Sequence, residues 1–150
     1  MAVVFPIENH KEFAHLRGDQ QVLLCLCNCE EILAIRKLVL EAFGYEVLAA
    51  DDIQGINTLT EQPVDVAILD YRARGTNGEL IAIKTKILQP LTPIVLLVDD
   101  PASVPESVAR LTSAIVKREY SPVGLLQEIA RILHDDSGSG SRAFSVRPVA

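Results

Sequence analysis

Along this chain, short unbroken apolar runs alternate with stretches in which apolar residues recur every three or four positions. Residues 21–27, Gln-Val-Leu-Leu-Cys-Leu-Cys, form the first run, the pattern of a strand covered on both faces. Ile32, Ile35, Val39 and Ala42 then fall at helical spacing, with Glu30, Lys37 and Glu41 on the wet side and Gly44 as the stop. Residues 45–49 read as a second strand, and Asp52 is placed to cap a short helix ending near Pro63. Residues 64–70, Val-Asp-Val-Ala-Ile-Leu-Asp, predict a third strand, and Gly75-Thr-Asn-Gly78 is loop chemistry. Leu80, Ile83 and Ile87 support a third helix, halted by Pro90, and residues 93–98 are another apolar strand. Ser103-Val-Pro-Glu106 has capping-box spacing and opens a helix through Leu111. Residues 114–116 predict a brief fifth strand. Ser121-Pro122 starts a last helix with Leu125, Leu126, Ile129, Ile132 and Leu133 as its buried stripe.

Five strand-then-helix units between residues 21 and 135 imply an α/β domain, a parallel sheet with helices on both faces and right-handed crossovers. Ligands in such folds gather at the carboxyl ends of the strands, where Asp70 closes the third. Residues 1–20 form an N-terminal arm. There Asn9 can cap a short helix bearing Phe13 and Leu16 and ended by Gly18, with a frayed terminus as the alternative. Residues 136–150, rich in Gly and Ser at their start, read as a flexible tail or linker.

Composition narrows the picture. Hydrophobic residues make up 49% and aromatics 5%, with no tryptophan, so the core is aliphatic. A net charge of −6 argues against direct nucleic-acid or anionic-membrane binding. No apolar run approaches the roughly 18–20 residues of a membrane span, and no basic segment opens the chain, so a cytoplasmic protein is expected. Cys25, Cys27 and Cys29 would share one face of a strand; they are odd in number, lack zinc spacing and read as free thiols, with Cys27 the most reactive.

The segment Asp70-Tyr-Arg-Ala-Arg-Gly-Thr-Asn-Gly78 resembles the phosphoacceptor loop of bacterial response-regulator (CheY-like) receiver domains. Glu41-Ala-Phe-Gly-Tyr-Glu-Val47 is similar to their first-helix exit into the second strand, and Ile115-Val-Lys117 to their fifth strand with its lysine. The resemblance spans residues 21 to 135. It implies a flavodoxin-like, doubly wound, five-stranded sheet of order 2-1-3-4-5 and a non-enzymatic role in two-component, phosphorelay signalling. It further implies Asp70 at the phosphoacceptor position, Lys117 at the phosphoryl-contacting position, and a histidine kinase or phosphotransfer protein as partner. A magnesium ion would be held by Asp70, Asn28 and the Arg72 backbone carbonyl.

The supporting residues depart from that pattern. The acidic-pair positions fall on Cys27 and Asn28, the hydroxyl position on Val98, the aromatic switch position on Ala114, and the usual proline on Arg118. At an effective dielectric of about 20, each unit-charge pair at 4 Å is worth roughly 4 kcal/mol before desolvation, so two missing carboxylates weaken Mg²⁺ binding severely. Val98 cannot hydrogen-bond a phosphoryl oxygen. A cis Lys117–Arg118 bond would cost about 3 kcal/mol, so a trans bond and an altered aim for Lys117 are expected. Arg72 and Arg74 can pair with Asp70 or an anion, and Asp99 and Asp100 add charge at the same rim.

Three readings follow. The first is a receiver whose Mg-dependent phosphorylation at Asp70 is impaired. The second is a phosphorylation-independent docking or homodimerising pseudo-receiver. The third, from another class, is a small flavodoxin-like nucleotide or flavin binder; against it, Asn28-Cys-Glu-Glu stands where a glycine-rich phosphate loop belongs.

Overall fold

A computed structural model describes residues 20–71, 78–118 and 122–138, with side chains through His134. The strands are β1 (Val22–Leu26), β2 (Glu46–Ala50), β3 (Val66–Asp70), β4 (Ile94–Val98) and β5 (Ala114–Lys117). They form one parallel sheet of order β2-β1-β3-β4-β5. The helices are α1 (Glu30–Ala42), α2 (Asp52–Glu61), α3 (Gly78–Leu88), α4 (Glu106–Ala109) and α5 (Val123–Gly138), with a 3₁₀ turn at Pro101–Ser103.

Every residue of β1 and β4 is buried, because both sheet faces are covered. On one face Leu24, Leu26, Leu69, Leu96 and Val98 pack with Leu59, Ile81, Ala82 and Val108 from α2, α3 and α4. On the other, Leu23, Cys25, Ile68 and Leu97 pack with Leu40 of α1 and with Leu125, Ile129 and Ile132 of α5. The α2 helix lies tightly on β1: an added Cβ at Gly55 would fall 1.8 Å from Leu26 Cδ2. Gln89 ties three segments at the opposite edge. Its Nε2 donates to the carbonyls of Leu59 and Gln62, and its Oε1 accepts from Val64 N and Thr92 Oγ1.

The order of elements follows the pattern of the sequence, but two helices are rotated from their expected phase. In α1 the residues turned to the sheet are Leu33, Arg36 and Leu40, while Ile35 is 64% exposed and Ala42 is exposed. In α3 the buried residues are Ile81, Ala82 and Thr85, while Leu80, Ile83 and Ile87 are exposed. Both helices carry apolar residues on more than one side, so spacing alone fits two phases. The α5 stripe does face the core, with Leu126 and Leu133 at its margin. Gly44 ends α1 at φ 99°, a left-handed conformation that glycine adopts without strain.

Caps differ in detail. Asp51, not Asp52, caps α2, its carboxylate accepting from Gln54 N. The expected capping box does not form: Pro105 precedes α4, and Ser103 Oγ donates to the Asp100 carbonyl instead. The α4 helix stops at Ala109, and α5 runs to Gly138. The expected arm helix, Arg72, Arg74, the Gly75 loop and Ser121 lie outside the described residues, as does the tail from residue 139.

Candidate functional site

The carboxyl ends of β1, β3, β4 and β5 bring Cys27, Asp70, Asp99 and Arg118 together. Register decides which side chains meet. Asp70 is paired with Leu97, whose side chain belongs to the α1/α5 face. Lys117 is paired with Val98, which belongs to the other face. Successive side chains on a strand point to opposite faces, so Arg118, one residue beyond Lys117, returns to the side of Asp70.

Asp70 is held by two guanidinium groups. Arg118 Nη2 donates to Oδ1 at 2.6 Å, and Arg36 Nη1 donates to Oδ2 at 3.2 Å. The Asp70 side chain is 2% exposed, and those of Arg36 and Arg118 are 12% and 15% exposed. Arg118 also donates from Nη2 to the carbonyls of Tyr71 (2.9 Å) and Leu97 (3.2 Å), and its Nη1 pairs with Asp99. One side chain thereby cross-links the ends of β3, β4 and β5. Among the described residues the buried Asp70 carboxylate thus faces two cations, and paired contacts of this kind are how an ion is retained so deep. Arg118 Nε is buried without a hydrogen-bond partner among the described residues.

A thiol also stands against the carboxylate. Cys27 Sγ donates to Asp70 Oδ2 at 3.6 Å and also lies 3.8 Å from the Cys29 carbonyl. Burial and the adjacent Asp70 carboxylate push this thiol up, against the lowering effects of the Cys29 backbone contact and Arg36. Cys25, deeper in β1, is pushed up to about 12 by burial. Both are therefore neutral thiols near pH 7.

The other sequence-expected residues are placed elsewhere. The Asn28 amide faces α2, where its Oδ1 accepts from Asp52 N and its Nδ2 donates to Asp52 Oδ2, each at 3.2 Å. Lys117 is exposed, and no hydrogen bond or ion pair of its side chain is among those of the described residues. The Lys117–Arg118 bond is trans. Val98 and Ala114 are buried core residues. Asp100 caps the 3₁₀ turn by accepting from Ala102 N. Among the described residues no group of three or more His, Cys, Asp or Glu is arranged to hold a metal ion.

Sequence reasoning missed Arg36 and misjudged the role of Arg118. Arg36 shares the 33–36–40 spacing that faces the sheet, a phase that becomes visible only if a charged residue is allowed inward. Arg118 stands where the resemblance expects proline, and its guanidinium reaches Asp70.

No protein-family model matches the chain, and no curated protein sequence matches it. Solved structures do. The response regulator TrrA of Thermotoga maritima, in complex with Mg²⁺-BeF, shares 18% identity over 75% of this chain and 99% of its own, at a TM-score of 0.69. TrrA in complex with the histidine kinase ThkA aligns equally well, at 19% identity and TM-score 0.69, covering 76% of this chain and 99% of that one. A response-regulator receiver domain from Clostridium thermocellum shares 21% identity over 78% of this chain and 97% of its own, at 0.70. An adenylate cyclase from Rhodopirellula baltica shares 17% identity over 79% and 92%, at 0.69. At such identities the likeness is one of fold: the chain has the flavodoxin-like fold of CheY-like receiver domains.

Proposed function

We propose that this chain acts in two-component signalling as a receiver that works through protein contact, without taking up a phosphoryl group at Asp70. The observation that carries this reading is the double ion pair on Asp70. An attacking carboxylate oxygen must present a lone pair in line with the phosphorus, and here each oxygen is engaged by a guanidinium within a nearly closed shell.

The residues do not fit a magnesium ion. Mg²⁺ takes hard oxygen ligands in octahedral array. Cys27 offers a neutral thiol, the Asn28 oxygen is spent on α2, and two positive groups already stand against Asp70. Arg36 and Arg118 supply the countercharge that the carboxylate needs.

The partner class is a histidine kinase or phosphotransfer protein, supported by the fold shared with TrrA in its kinase complex. We assign the signalling role to residues 21–135, with α5 continuing through Gly138. The test is intact-protein mass after incubation with Mg²⁺ and acetyl phosphate. The wild type is expected to gain no phosphoryl group. A phosphoryl adduct lost in Asp70→Asn would overturn the proposal and leave a phosphorylated receiver as the account.

A further inference from the structure

The segment between β1 and α1 places two cysteines, with one residue between them, in unlike surroundings. Cys27 is 5% exposed and its amide is still bonded to the Ala50 carbonyl. Its sulfur is curled against the backbone of Cys29, whose N–H donates to Cys27 Sγ at 3.5 Å. Cys29 itself is exposed at the N-cap of α1. The intervening Asn28 side chain is turned to Asp52. Cys25 is fully buried, beyond the reach of a solute.

We propose that Cys27 and Cys29 form a hydroperoxide-sensitive dithiol that closes to an intramolecular disulfide. Peroxide reaches the exposed Cys29 first, because oxidation follows access. The Cys29 sulfur takes the distal peroxide oxygen, giving Cys29–SOH and one water. Cys27 sulfur then attacks the sulfenic sulfur. The S–S bond forms as the S–O bond breaks, and the hydroxide leaves with the Cys27 proton as a second water. Two electrons pass from the two sulfurs to one peroxide. Cys27 suits the resolving role by position, since it is shielded from direct oxidation yet lies beside its partner's backbone, and its S–H already points at the Asp70 carboxylate as its sulfur attacks.

The bond has a structural consequence. It removes the S–H that donates to Asp70 Oδ2, and it draws on the first turn of α1, where the Cys29 carbonyl accepts from Leu33 N. Closing so small a ring strains the disulfide geometry, and a strained disulfide is readily reduced.

The experiment treats the full chain with a small excess of hydrogen peroxide, then denatures it and alkylates the remaining thiols for intact mass. The wild type is expected to lose two hydrogens and accept a single alkyl group, with full reversal by dithiothreitol. Cys25→Ala is expected to lose two hydrogens as the wild type does. Cys29→Ser, a change at an exposed position, is expected to keep both remaining thiols. The proposal is overturned if the wild type keeps three thiols, gains sulfinic or sulfonic oxygens at Cys29, or links into dimers. It is equally overturned if Cys29→Ser still loses two hydrogens.

Discussion

At Asp70 the cost of burying a carboxylate is offset by two arginines that approach from different elements, Arg36 from α1 and Arg118 from the end of β5. Breaking a buried pair by removing one partner leaves an uncompensated charge and typically costs about 3–5 kcal/mol. Asp70→Asn is therefore expected to lose about 3–5 kcal/mol in urea unfolding. Combined with Arg118→Met it should lose less than the sum of the two single changes, since the second removes a cation that the first has stranded. A loss for Asp70→Asn below about 1 kcal/mol, the range of exposed pairs, would show that the carboxylate is not held as described. The acidic end of β3 was legible in the sequence; its cations were not. A single arginine inside an amphipathic helix reads as surface, and only the register of β5 against β4 shows that Arg118 rather than Lys117 returns to Asp70.

Among the elements, strands were easier to read than helix phases. Unbroken runs such as Leu-Leu-Cys-Leu in β1 and Ile-Val-Leu-Leu-Val in β4 permit one placement, in the middle of a covered sheet. In α1 the residues Ile32, Leu33, Ala34 and Ile35 permit several, and the phase is fixed by Leu33 and Leu40 packing while Arg36 reaches Asp70. Gly55 fixes α2 in another way. Elsewhere in a helix, replacing glycine with alanine gains roughly 0.5–1 kcal/mol. Here the new methyl would run into the side chain of Leu26, which is 2% exposed and would have to shift within the packed core. Gly55→Ala is expected to destabilise by about 1–2 kcal/mol net of that gain, as overpacking does. A rise in thermal midpoint would show that α2 stands off the sheet.

For the molecule as a whole, the topology is that of CheY-like receiver structures, and its carboxyl edge holds Asp70 against Arg36 and Arg118. Five parallel strands, the 2-1-3-4-5 order and cover on both faces agree with CheY-like receiver structures. Among the described residues no helix is long and apolar enough to cross a membrane. The fold was legible because alternation of strand and helix has few solutions. The site was half legible: Asp70 stands out at the end of β3, and nothing in the spacing of Arg36 and Arg118 announces that they meet it. The most direct test is a titration of isotopically labelled protein with Mg²⁺ and beryllofluoride, the combination bound by the TrrA neighbour. The account predicts that the amide resonances of Asp70, Tyr71 and Arg118 stay in place throughout. Saturable shifts at those amides, absent in Asp70→Asn, would contradict it.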